Sequence, residues 1–353
     1  MRSLILPGLL CSLFAAPLAF AEPLRVAFMH ENPVGQGGWT LSHELARERL
    51  QTHFGDQIST RMLDGIAPGG DAERVLTKLA RDGNAMIFAT SYGFMNSALR
   101  VARRFPRTTF EHAAGYNTAR NLGTYQIRAF QGRFLAGYAA GKLSRSGRIG
   151  YVGSFPIPEV VRGINGFTLG VRAANPEAIV DVIWITTWSD AGRSREATQL
   201  LVSQGADVIT HHTETAAAIQ TADQLGVWSV GYQTDRSAFA PEHHLVSVAH
   251  NWFPIYRYKV QAVLDENWQP TQEWAGVEAD ATQLVSWGKR VPEELINEVA
   301  ALREELLGGR AVFAGPIADN EGAERIAQGS VASDEELLAM EWLVEGVNGS
   351  RPD

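Results

Sequence analysis

The sequence predicts an α/β protein of two similar lobes, each a parallel sheet flanked by helices. Three observations carry this reading. Short apolar segments alternate with amphipathic ones from Pro23 onward. The rhythm restarts near residue 130 instead of continuing as one wide sheet. The chain has 353 residues, 45% hydrophobic and 20% charged, which is a globular composition and too much length for one small domain. Strands that alternate with helices lie parallel, with helices over both faces.

The first strand spans residues 24–29 and runs into the loop Gly35-Gln36-Gly37-Gly38. A helix follows, with Leu41, Leu45, Ala46 and Leu50 on its apolar face. Residues 58–63 form a strand, and Asp71 caps a helix carrying Val75, Leu76 and Leu79. Strands are expected over 85–90 and 109–113, and a helix over 132–143. After the restart, strands fall at 149–153, 179–187, 207–210, 228–231 and 245–249. The helices between and after them cover 160–173, 193–204, 215–225 and 253–265. The tail holds a charged helix over 292–307 and another over 333–347.

Residues 1–21 read as a cleavable export signal: Arg2, an apolar run from Leu4 to Phe20, then Ala19-Phe20-Ala21 before Glu22. The rival, a membrane anchor, is opposed by Pro7 and Pro17. The single cysteine, Cys11, lies inside this segment behind Leu9-Leu10, not behind the small residue that lipidation needs. The mature chain therefore has no thiol for a disulfide, a metal or a nucleophile. A periplasmic product is expected. With 31 Lys+Arg against 39 Asp+Glu the net charge is -8, which argues against a nucleic-acid binder.

Ligands of open parallel sheets bind beyond the carboxyl ends of the strands. Those ends here are rich in aromatic and neutral hydrogen-bonding residues and poor in Lys and Arg, which suits a flat, polar-edged molecule and disfavours a phosphorylated one. The candidates are Trp39, Tyr92, Glu159, Trp188, His212, Thr213, Gln233, Asp235 and His250. Trp39 follows the glycines at a helix start, so it stacks on a ligand or packs between helix and sheet. Asp190 and Asp235 are polar cleft residues or turn formers and caps. Adjacent histidines on a strand point to opposite faces, so neither His211-His212 nor His243-His244 makes a metal site, and the second pair is expected in a surface loop. The Gly-x-Ser-x-Gly, phosphate-loop, dinucleotide and His-Glu-x-x-His motifs are all absent. No cofactor, metal or catalytic residue is expected.

Several segments in order resemble the basic membrane protein family of ABC-transporter solute-binding proteins. They are Gly37-Gly38-Trp39, Phe88 to Phe94, Phe110 to Tyr116, Gly132 to Gly137, Gly153 to Glu159, Gly163 to Phe167, Gly315-Pro316-Ile317 and Trp342 to Val347. The resemblance covers the mature chain. It implies a two-lobed periplasmic-binding fold of type I with three hinge crossings, and expected lobes of 22–127 plus 252–276 and 128–251 plus 277–353. It also implies a monomer that serves an ABC permease, and no enzyme. The family's ring-stacking aromatic falls on Trp39. Nucleoside-binding relatives carry an Asp where this chain has Gln233 and a Lys near His250, and the base-reading Asp before the Gly-Arg-Phe helix is also missing, in Ile127 to Gln131. A carboxylate suits a ribose diol, whereas a Gln amide both donates and accepts and suits a base edge. The expected ligand is therefore a free purine base, adenine or an oxopurine. The alternatives are a nucleoside or sugar receptor, a secreted nucleoside hydrolase, or a sensory subunit.

Overall fold

The computed structural model describes residues 22–352, so the export-signal reading of 1–21, Cys11 included, lies outside them. The first half runs β1 (Leu24–Met29), α1 (Trp39–Phe54), β2 (Ile58–Leu63), α2 (Gly70–Arg81), β3 (Met86–Ala89), α3 (Met95–Arg104), β4 (Thr109–Ala113) and β5 (Leu122–Ile127). The second runs α4 (Ala129–Leu143), β6 (Arg148–Gly153), α5 (Pro158–Ala174), β7 (Ile179–Trp184), α6 (Ala191–Ser203), β8 (Val208–His211), α7 (Ala217–Gln224), β9 (Trp228–Gln233) and β10 (His244–His250). The chain then returns to the first sheet with α8 (Phe253–Leu264) and β11 (Gln272–Ala275). It ends with β12 (Thr282–Val285), α9 (Glu293–Leu307), β13 (Ile317–Ala318), β14 (Glu324–Ile326), α10 (Asp334–Leu338) and β15 (Val347–Asn348), of which β12 and β15 join the second sheet while β13 and β14 pair only with each other.

The first sheet is all parallel, ordered β11-β5-β4-β3-β1-β2. The second, β12-β10-β9-β8-β6-β7-β15, is parallel except for β12 against β10. Its members show that the chain passes between the sheets three times, near 128, 251–252 and 276–281. The central strands, such as β3 and β8, are buried on both faces. In β1, Val26 and Phe28 join the cluster under α1 while Ala27 and Met29 join the one under α2 and α3, as a period of two requires. In the second lobe α4 and α5 touch backbone to backbone, because a Cβ on Gly137 would strike the Phe167 carbonyl and one on Gly170 the Phe134 carbonyl. The Gly132–Gly137 and Gly163–Phe167 segments therefore serve helix packing.

Some elements differ from the sequence reading. Strand β5 is buried throughout yet reads Leu-Gly-Thr-Tyr-Gln-Ile, too polar to register as an apolar run. Helix α3 and the short edge strands β11 and β12 also went unread. The tail helix is only α10. Ser333 and Glu336 start it with a reciprocal capping box. It stops because Asn165 binds the following backbone, donating to the Trp342 carbonyl at 2.7 Å and accepting from Val344 N at 3.0 Å. His244 is no loop residue: it opens β10 and is 3% exposed.

Candidate functional site

The strand ends of the two sheets face each other across a cleft of about 500 Å³, part of it open to solvent. The first lobe supplies Glu31 and Asn32 after β1, Trp39 and Thr40 at the start of α1, Ser91 and Tyr92 after β3, and Ala114 after β4. The second supplies Ile157 and Glu159 at the start of α5, Trp188 after β7, His212, Thr213 and Glu214 after β8, and Gln233 at the end of β9. Neither Lys nor Arg is on this wall.

Trp39 is the first residue of α1 and stands half-buried. Its indole N–H donates to the Thr90 carbonyl at 2.5 Å, which uses its only donor and fixes the ring. Three aromatic neighbours meet it nearly edge-on: His43 at 4.8 Å, Trp252 at 5.0 Å and His250 at 5.9 Å between centroids. Trp188 leans on Phe155 at 5.0 Å, and its carbonyl accepts from Glu214 N at 2.8 Å. Tyr92 lies 6.2 Å from Tyr116. Ser91 bonds the Glu31 carboxyl, whose pKa burial raises.

The floor is set by Arg133 on α4. It is fully buried, donates to Thr210 Oγ1 at 2.9 Å and to the His211 carbonyl at 2.6 Å, and stacks 3.3 Å from the Tyr232 ring. This fixes the end of β8, from which His212 and Thr213 reach the cavity. Burial and the nearby Arg133 keep His212 neutral, well below the usual imidazole value. Thr213 Oγ1 pairs with His211 Nδ1 at 3.0 Å. Gln233 is buried at φ 72, in the left-handed region, with Oε1 unpaired among the described residues. Burial pushes Glu159 up to about 7 against the pull of Arg162, and pushes Glu214 up to about 7 as well.

The lobes also touch directly beside the cavity. Gly38 N donates to Thr234 Oγ1 at 3.1 Å. Thr40 N and Oγ1 donate to Glu214 Oε1 at 3.2 and 3.1 Å, and Arg236 holds the Glu214 carbonyl at 2.8 Å.

Seven of the nine residues singled out from the sequence therefore share this wall: Trp39, Tyr92, Glu159, Trp188, His212, Thr213 and Gln233. Asp235 does not. It is exposed and braces a turn, accepting from Ser237 N at 2.9 Å and Ser286 Oγ at 2.5 Å. His250 also lies off the wall, buried behind Trp39 between Tyr232 and Trp252. The wall residues not singled out from the sequence are Glu31, Asn32, Thr40, Ser91, Ala114, Ile157 and Glu214. Glu214 follows the His212-Thr213 strand end by one residue, and that position was its only signal. Among the described residues no group of three or more His, Cys, Asp or Glu is placed to hold a metal, and no helix is long and apolar enough to cross a membrane.

A family model described as "ABC transporter substrate-binding protein PnrA-like" matches residues 24–310. A purine-binding protein of Brucella abortus is 39% identical over 332 residues, 94% of this chain and 95% of that protein. A putative ABC transporter glucose-binding protein of Haloferax volcanii is 35% identical, over 94% of this chain and 82% of that protein. Among solved structures, an ABC-transporter solute-binding protein of Conexibacter woesei superposes with a TM-score of 0.69 at 22% identity, over 81% of this chain and 97% of that one.

Proposed function

The chain belongs to the PnrA-like family of ABC transporter substrate-binding proteins, and from that membership we propose that it is a periplasmic receptor for a free purine base. The family is one of binding proteins rather than enzymes, and its members deliver small molecules to a membrane permease. The proposed lobes are 22–127 plus 252–276 and 128–251 plus 277–353, which hinge at the three crossings and shut on the ligand as a monomer.

The observation that carries the purine is Trp39. An indole whose N–H is tied to the backbone has only its faces left to offer, and it stands across the cavity from a second-lobe wall that includes Trp188 and Gln233. Stacking supplies roughly 1–3 kcal/mol per base. Micromolar binding needs about 8 kcal/mol, so rim hydrogen bonds and exclusion of water supply the rest. The purine-binding relative supports the same reading.

A base with a sugar attached is the second reading. Tyr92, Ala114 and Glu159 also line a neighbouring space of about 1150 Å³ under α10, into which a ribose would extend. The test is a thermal-shift panel of adenine, hypoxanthine, adenosine and glucose. Ligand at a hundredfold excess over its Kd adds about 2.7 kcal/mol of stability. A shift with the bases alone supports the proposal. A shift with adenosine or glucose but neither base replaces it.

A further inference from the structure

Among the wall groups that no described protein group pairs are the side-chain acceptors of Gln233 and Glu159, with the buried His212 Nδ1 also unpaired. Gln233 is 4% exposed, lines the cavity, and its Oε1 is buried without a hydrogen-bond partner among the described residues. It sits at φ 72, which a glutamine adopts only under tertiary constraint. Glu159 lines the same space. Its charged neighbour Arg162 is occupied elsewhere, donating to the Leu337 carbonyl at 2.7 Å and Gln126 Oε1 at 3.0 Å. Among the described residues no hydrogen bond reaches the Glu159 carboxyl. The other two carboxyls on the wall are engaged, Glu31 by Ser91 and Glu214 by Thr40.

Leaving the buried Gln233 Oε1 bare is costly, and the Glu159 carboxyl, half-buried on the same wall, has both oxygens free, so the hydrogens come from the ligand. A carboxyl with two free oxygens matches an exocyclic amino group, which carries two hydrogens. A single orphaned amide oxygen matches a single ring N–H. We infer that these two residues set specificity: Glu159 receives an exocyclic amine of the bound heterocycle, and Gln233 Oε1 receives a ring N–H. This deepens the free-purine reading and rests on it for the identity of the ring.

The test is titration calorimetry with adenine and with unsubstituted purine, which lacks the amine and adds no bulk. At pH 8 Glu159 is ionised, since burial pushes it up to about 7. The wild type binds adenine at least about tenfold more tightly than purine, a difference of about 1.4 kcal/mol. Glu159→Leu lowers adenine affinity more than purine affinity and erases that ratio, and Glu159→Gln, which keeps one acceptor and the side-chain shape, falls between. Gln233→Leu weakens both ligands by the same factor, because both carry the ring N–H. Equal binding by the wild type, or a ratio that survives both Glu159 variants, overturns the role of Glu159. Unchanged affinities in Gln233→Leu overturn that of Gln233. If neither purine binds, the free-purine reading falls. The same amine deletion on a one-ring base, cytosine against 2-hydroxypyrimidine, then decides: a tenfold ratio lost in Glu159→Leu supports the inference, and equal or absent binding overturns it.

Discussion

Gly38 and Glu214 meet across the gap between the lobes so closely that residue 38 has no room for a side chain. A Cβ there would collide with Glu214 Oε2 and lie 2.9 Å from the Glu214 carbonyl oxygen. Residue 38 also sits at φ 95 and ψ -167, a region kept for glycine where an L-residue costs about 1–3 kcal/mol. The glycines before Trp39 thus let the second lobe close over the loop, beyond any service to the ligand. Gly38→Ala is expected to favour the open form, weakening purine binding by about tenfold or more. Small-angle scattering with saturating ligand checks this: the variant stays more extended than the wild type. Equal compactness and affinity would remove the contact from closure.

Trp39→Ala removes the stacking face and leaves the Thr90 carbonyl bare. The stacking alone is worth roughly 1–3 kcal/mol, so calorimetry should register a loss of about tenfold to a hundredfold. Trp39→Phe keeps a face and should lose less. An unchanged affinity in the alanine variant takes Trp39 out of the site.

Much of this site was legible because strand ends are legible. Alternation placed β1, β8 and β9 by their apolar runs, and the residues just past them, Trp39, His212, Thr213 and Gln233, fell on one wall as parallel topology demands. What escaped depends on partners far along the chain. Thr40 and Glu214 matter because they find each other across 174 residues. Asp235 looked like a site residue because it follows Gln233 closely, yet the turn after β9 swings it out to Ser286. The tail helix was overread because Asn165, not the local sequence, decides the path of residues 342–344.

Glu214 links closure to pH. In the closed form it is buried and its pKa is raised to about 7 from the ordinary 4.5, with Thr40 and Arg236 pulling it down and burial prevailing. A folded value above the open one means that the closed state holds the proton. Its contribution is complete below pH 4.5 and is lost as pH rises through 7. Purine affinity should therefore weaken between pH 5 and 8, and calorimetry near pH 6 in two buffers of different ionisation enthalpy should detect proton uptake on binding. Glu214→Gln should reduce the uptake, and a variant with the wild-type proton count would exclude Glu214 as the linked group.

Acid should unfold the protein through its histidines. His30, His112 and His244 are lowered to about 4, His250 to about 3, and His43, His211 and His212 well below 6.5, with burial the largest cause in every case. A depressed imidazole takes up its proton in the unfolded chain first, so between pH 6.5 and 4 the unfolded state binds more protons and stability falls as pH falls. Glu111, Glu159 and Glu214 work the other way. Each is raised to about 7, so each stabilises the fold below 4.5 and loses that contribution as pH rises through 7. Glu31 is raised by burial too, so seven imidazoles stand against four carboxyls, and the imidazoles are expected to prevail. The ligand-free protein should melt several degrees lower at pH 5 than at pH 7.5. His43 makes the sharpest single test, because it stacks 4.3 Å from Trp252 and bonds Tyr256 with no carboxylate beside it. His43→Gln, which cannot take up the proton, should shrink the difference in Tm between the two pH values even while lowering both. A protein that melts higher at pH 5 would show that the buried carboxyls, not the histidines, govern its response to acid.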